Sequence, residues 1–113
     1  MIQVFHNNRC SKSRCALDTL TDAGKAFETV EYLINPPTEK ELKTILKKLK
    51  MKPEDLVRKG EAVFKEKFAG KSFSDEEWLK ILTDNPILIE RPIIINGNKA
   101  VIGRPVENIL TIL

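Results

Sequence analysis

A chain of 113 residues, 42% hydrophobic and 31% charged, is long enough for one compact domain that buries roughly two-thirds of its unfolded surface. Its net charge of +3 is too small to mark a nucleic-acid binder, and two cysteines with one histidine complete neither a tetrahedral zinc site nor a disulfide framework. No stretch approaches the ~18 apolar residues of a membrane span, and Met1–His6 lacks the basic region and apolar run of a signal peptide. The expectation is a soluble, cytoplasmic, monomeric domain without metal, membrane or nucleic-acid partner, its cysteines in a reducing compartment.

Ile2–Phe5 is short and β-prone and stops at the polar run His6-Asn7-Asn8-Arg9, so a strand passes into a loop. From Ser11 the apolar residues Ala16, Leu17, Leu20 and Ala23 recur at helical spacing, and Gly24 is a natural stop. Phe27–Leu33 reads as a second strand ended by Asn35-Pro36-Pro37. Strand, helix and strand make a βαβ unit, whose crossover places the strands parallel.

Thr38 with Glu41, and Ser74 with Glu77, are capping-box patterns that each open a helix. The first helix carries Leu42, Ile45, Leu46 and Leu49 on one stripe; the second carries Trp78, Ile81 and Leu82 and ends before Pro86. Between them Pro53 starts a short helix to about Val57, Gly60 interrupts, and Ala62–Phe68 forms one more helical piece. Residues 38–83 are therefore a helical insertion. Ile93–Ile95, Asn96-Gly97-Asn98 and Ala100–Ile102 then signal a hairpin, because Asn-Gly accepts the positive φ of a tight turn. Pro105 fits a first helical position, and Val106, Ile109, Leu110 and Leu113 mark a last amphipathic helix. The order βαβ, helical insertion, ββα predicts one α/β domain over residues 1–113 with the thioredoxin-like arrangement.

Cys10 stands where the first loop turns into the first helix. A helix N-terminus presents unpaired N–H groups and about half a positive charge, which stabilise a thiolate and lower its pKa. Arg9, Lys12 and Arg14 add positive charge, and Ser11 and Ser13 offer hydroxyl donors. Most cysteines are buried and inert, but the neighbours Asn8, Arg9, Ser11 and Lys12 are all polar, which favours a reactive nucleophile in an anion-binding pocket. Cys15 lies five positions on, about 7.5 Å along a helix axis, too far for a disulfide to Cys10 unless the first turn unwinds. Beside Asp18, Thr19 and Asp22 it falls on the polar face, as a bystander thiol with a resolving role as the lesser alternative.

The segment His6-Asn7-Asn8-Arg9-Cys10-Ser11-Lys12-Ser13-Arg14 resembles the active-site loop of the glutaredoxin-dependent arsenate reductases, whose pattern is His-Asn-Pro-x-Cys-x-x-Ser-Arg. Asp55-Leu56-Val57-Arg58, Asn85–Ile93 and Gly103-Arg104-Pro105 are similar to further segments of that family, in order along the whole chain. The resemblance implies that Cys10 is the nucleophile and that Arg58, Arg91 and Arg104 bind the oxyanion. It implies that His6 influences the ionisation of the thiolate, that Ser13 hydrogen-bonds the sulfur, and that the Arg91–Pro92 bond is the cis-proline of thioredoxin folds. It further implies arsenate as substrate, glutathione as co-substrate and glutaredoxin as the protein reductant. Asn8 replaces the family's proline without removing a chemical group.

The charges agree with those roles. Guanidinium forks bind paired oxygens bidentately, and without cations an anionic sulfur and an anionic oxyanion repel each other. An arbitrary arginine is more often a solvated surface residue; Arg91 and Arg104 each precede a proline at a strand boundary, whereas Arg58 has the least local support. Two other readings share the fold. One is an Spx-like regulatory module that binds a partner through Lys40, Lys43, Lys47, Lys48, Lys50 and Lys52, although such runs are usually solvated faces. The other is a thiol oxidoreductase with a different substrate. The three arginines and the lack of a Cys-x-x-Cys pair favour the reductase.

Overall fold

The computed structural model describes residues 2–7 and 11–113, apart from the Lys12 side chain. The chain divides into two compact units, residues 1–35 with 91–113, and residues 36–90.

The first unit is built on a four-stranded sheet, β1 (Ile2–Phe5), β2 (Phe27–Val30), β3 (Ile93–Asn96) and β4 (Lys99–Ile102), in the order β2-β1-β3-β4. β1 pairs parallel to β2 and antiparallel to β3, and β3 pairs antiparallel to β4. This is the thioredoxin-like arrangement that the element order predicts. Strand alternation sends Ile2, Val4 and Ile94 to one face, where they bury against Ala16 and Leu20 of helix α1 (Ser11–Asp22) and Ile109 and Ile112 of the C-terminal segment. Phe5, Ile93 and Ile95 are buried as well, on the opposite alternation, so both faces of the central strands are apolar.

Three sequence expectations need correction here. β2 ends at Val30, not Leu33; Tyr32 N–H turns back to the Val30 carbonyl at 3.0 Å, and the Ile34 and Asn35 N–H groups both reach the Glu31 carbonyl. A local turn satisfies those backbone groups instead of a strand ladder. In the hairpin, Asn96 pairs with Lys99, so the turn is Gly97-Asn98, with Gly97 at φ 62°. Glycine at the first central position suits a type II′ turn, one residue later than an Asn-Gly centre. The final element, Val106–Ile112, is a 3₁₀ helix with Pro105 just before its first residue. At three residues per turn, Val106, Ile109 and Ile112 share a face. Ile109 and Ile112 are therefore buried, while Leu110 and Leu113 point out.

The second unit is helical. Helix α2 (Glu39–Leu49) and helix α4 (Asp75–Asp84) open with the anticipated capping boxes, Thr38 with Glu41 and Ser74 with Glu77, and pack on each other. Between them lie a 3₁₀ turn at Pro53–Leu56 and helix α3 (Ala62–Lys67); a second 3₁₀ turn, Pro86–Leu88, follows α4. Leu42, Ile45 and Leu46 of α2 are buried, as are Trp78, Leu79 and Leu82 of α4; Leu79 takes the buried place that the periodicity assigns to Ile81. Phe73 meets Trp78 edge-on at 4.9 Å between ring centroids, with Phe64 and Phe68 around them. An antiparallel bridge between Val57 and Ile89 joins the ends of the two 3₁₀ turns. Four of the six lysines singled out above, Lys43, Lys47, Lys50 and Lys52, border an open groove floored by Leu46, Met51 and Leu79. Among the described residues no helix is long and apolar enough to cross a membrane.

Candidate functional site

Cys10 lies outside the described residues, as do Asn8 and Arg9; α1 begins at the next residue, Ser11. His6 before it and Ser13 after it are both buried. Ser13 is fully buried, and its Oγ accepts from the Asn7 N–H at 3.4 Å. A hydroxyl that accepts still has its own proton to donate.

His6 continues β1 by one residue, its N–H donating to the Val30 carbonyl at 2.9 Å, and its side chain is buried. Its Nδ1 has no hydrogen-bond partner among the described residues. Burial pushes the imidazole pKa below its ordinary value; nearby Glu31 pulls it back up, and Arg14 adds a smaller push downward. Desolvation wins, so the neutral ring is the favoured form at pH 7. His6 is therefore an uncharged group at neutral pH.

Arg91 and Arg104 meet at the open end of the β3–β4 hairpin. One immediately precedes Pro92 and β3 and the other follows β4, and antiparallel pairing of Ile93 with Ile102 brings these two ends together. Arg104 Nε donates to the Arg91 carbonyl oxygen at 2.6 Å. The Arg91 side chain is buried, and its Nη1 donates to the Tyr32 hydroxyl at 3.5 Å. Tyr32 is itself fully buried and stacks on Phe5, with ring centroids 6.1 Å apart. The Arg91–Pro92 bond is cis, and so is Arg104–Pro105, which nothing in the sequence singled out. Between the two prolines runs a hydrogen bond from the Gly103 N–H to the Pro92 carbonyl, 2.9 Å.

Arg58 belongs to the helical unit. Its N–H donates to the Leu88 carbonyl at 2.7 Å, and Glu90 returns a bond to the Leu56 carbonyl at 2.8 Å, flanking the Val57–Ile89 bridge. Its guanidinium carries two carboxylates, Glu61 at 3.1 Å from Nε and Glu90 at 3.3 Å from Nη1, with the side chain one-fifth exposed. Arg58 is thus held in place by opposite charge rather than solvated on a helix face. Cys15 is exposed on α1, along the same stripe as exposed Asp18 and Asp22.

No role falls to Tyr32, Glu61 or Glu90 from the sequence alone. Tyr32 lies within the expected Phe27–Leu33 strand, and its only distinguishing signal is that it is the sole tyrosine in the chain. The two glutamates become partners of Arg58 only when the segments around Val57 and Ile89 pair.

The family model for ArsC matches residues 5–112. The chain belongs to the ArsC family. This ArsC protein is 41% identical over 114 residues to an arsenate reductase of Neisseria meningitidis, an alignment covering 99% of this chain and 97% of the relative. It is equally similar, at 41% and with 96% of the relative covered, to a protein of Escherichia coli called YfgD, to which no activity is attached. Among solved structures, an arsenate reductase from Vibrio cholerae superposes with a TM-score of 0.95 at 36% identity, covering 99% of this ArsC chain and 97% of the other.

Proposed function

We propose that this ArsC protein reduces arsenate to arsenite through a covalent adduct on Cys10, with glutathione and glutaredoxin supplying the electrons. The observation that carries the reading is the span of the family match. Residues 5–112 span His6, Cys10, Ser13, Arg58, Arg91 and Arg104, the positions to which the resemblance assigns roles.

The Cys10 thiolate attacks arsenic(V), an S–As bond forms, and one oxygen leaves as water after taking up protons. Arginine charge makes this approach of anion to anion feasible. The Arg104 side chain is tied to the Arg91 main chain, so both arginines stand at the open end of one hairpin. Arg58, in the helical unit, is the third arginine to which the family resemblance assigns the oxyanion. Ser13 donates its hydroxyl proton to the sulfur, and neutral His6 leaves the arginines and the helix N-terminus as the groups that lower the thiol pKa. Glutathione thiolate then attacks the Cys10 sulfur. The S–As bonding pair departs with arsenic, which becomes arsenic(III), and the two sulfurs are left as a mixed disulfide. Glutaredoxin thiol reduces that disulfide and restores Cys10. On this reading the protein works as a cytoplasmic monomer, and Cys15 takes no part.

The test is arsenate-dependent consumption of NADPH by the purified protein with glutathione, glutaredoxin and glutathione reductase. Turnover that needs arsenate and Cys10 is the expected result. Absence of arsenate-dependent thiol oxidation, with Cys10 shown to be reduced and alkylatable, overturns it.

A further inference from the structure

We infer that Tyr32 is a positioning residue for Arg91: its buried hydroxyl fixes the orientation in which the guanidinium meets the oxyanion. The inference rests on the proposed role of Arg91, and it adds a residue that the sequence pattern does not contain.

The argument begins with burial. Arg91 is only 8% exposed and Tyr32 not at all, so neither polar group has bulk water to orient it. A buried phenol needs a hydrogen-bond partner, and a buried guanidinium needs its N–H groups directed at acceptors. The Nη1-to-hydroxyl contact at 3.5 Å provides one such pairing. The phenol accepts without cancelling the positive charge, whereas the carboxylates of Glu61 and Glu90 oppose the charge of Arg58. Arg91 thereby gains a fixed direction at a neutral acceptor.

The phenol is itself held. The backbone turn that ends β2 at Val30 sets the position of Tyr32, through its N–H to the Val30 carbonyl at 3.0 Å. Its ring stacks on Phe5, the last residue of β1. Phe5 in turn pairs in register with Val30 on one side and Ile93 on the other, and Ile93 lies two residues after Arg91. The sheet therefore positions both partners: tyrosine two residues beyond β2, arginine two residues before β3, and Phe5 between them on β1. An arginine has several rotatable bonds and loses much freedom when held in one geometry. Anchoring it before substrate arrives removes that loss from the binding step.

Tyr32→Phe removes the hydroxyl and keeps the ring on Phe5. In the glutathione–glutaredoxin assay the expected result is an arsenate KM raised about five- to twentyfold with kcat within about twofold of wild type. The Arg91 side-chain Nε–H resonance, followed by NMR in arginine-labelled protein, should shift in the variant, and the melting temperature should fall by only a few degrees. An unchanged KM, a loss confined to kcat, or an Arg91 resonance identical in both proteins overturns the positioning role. If wild-type protein shows no arsenate turnover, the proposed activity fails on its own, and the Arg91 resonance still decides whether Tyr32 orients the guanidinium. A general folding defect in Tyr32→Phe is distinguished by Tyr32→Leu, which removes the stacking ring as well. Positioning predicts a loss of a few degrees for Phe, from the lost acceptor, and a clearly larger one for Leu, which also loses the ring on Phe5; equal destabilisation of both variants overturns the inference.

Discussion

Arg104 gives its Nε proton to the backbone carbonyl oxygen of Arg91, 2.6 Å away. One arginine of the hairpin's open end is thus fixed by the main chain of the other, and the side chain of Arg91 is fixed in turn by Tyr32. Lysine at 104 preserves the charge and loses the planar donor set that holds the Arg91 carbonyl and, on the proposed function, an oxyanion. Arg104→Lys should raise the arsenate KM by about tenfold, with the Arg104→Ala variant worse, while both melt near the wild-type temperature. Steady-state kinetics with thermal melts check this; a lysine variant with wild-type KM removes Arg104 from the oxyanion site.

Cys10 and Cys15 are expected to separate cleanly. Cys15 is exposed on α1, five residues beyond the proposed nucleophile. Cys10→Ser should abolish arsenate-dependent turnover, and Cys15→Ser should retain most of it. Equal loss in the two single variants would replace the external thiol by an internal resolving pair.

His6 makes stability depend on pH on the acid side. Its folded pKa is lowered from 6.5 by burial, so at low pH the unfolded chain binds a proton that the native protein resists. Stability is therefore complete above the unfolded value of 6.5, falls as pH drops below it, and levels off once pH passes the folded pKa. His6→Asn should flatten this part of the profile, as read from melting temperatures between about pH 7.5 and 5. A profile of the same slope in that variant assigns the acid sensitivity to other groups.

Arg58 is expected to bind an oxyanion against the pull of its own carboxylates. Glu61→Gln with Glu90→Gln leaves the shape of the cluster and removes two negative charges lying 3.1 and 3.3 Å from the guanidinium. The arsenate KM should fall by about threefold, because partly exposed ion pairs are modest in strength. A KM that rises instead shows that the glutamates are needed to aim Arg58.

Gly103 is the glycine whose missing side chain matters for packing. A Cβ there would stand 3.0 Å from Ile94 Cδ1, 3.0 Å from Pro92 Cγ and 3.4 Å from Ile109 Cδ1. Ile94 and Ile109 are fully buried and the proline ring is stiff, so the neighbours have little room to yield. Gly103→Ala should destabilise the protein by about 1–3 kcal/mol and lower the melting temperature by several degrees. A variant as stable as wild type would mean that the isoleucines repack at no cost.

Several features were legible in the chain because they are local. The capping boxes at Thr38 and Ser74, the stop at Gly24 with φ 70°, and the apolar stripe of α2 need only neighbours within a few residues. The expectations that failed did so where distant pairing overrides local preference. Glu31–Asn35 turns where β-prone residues suggested more strand. The C-terminal segment tightens into a 3₁₀ helix and so exchanges Leu110 and Leu113 for Ile112 as the buried residue beside Ile109.

The sequence by itself determined the order of elements, the parallel and antiparallel halves of the sheet, and the residue types available for thiolate and oxyanion chemistry. Those follow from periodicity, turn chemistry and the resemblance of short segments. Only the tertiary structure decided which side chains meet these arginines. Arg58 and Glu90 are 32 residues apart, and Arg91 and Tyr32 are 59 apart. Hydrogen bonds across such separations depend on strand register and the burial it creates, and neither is written in the spacing of residues along the chain.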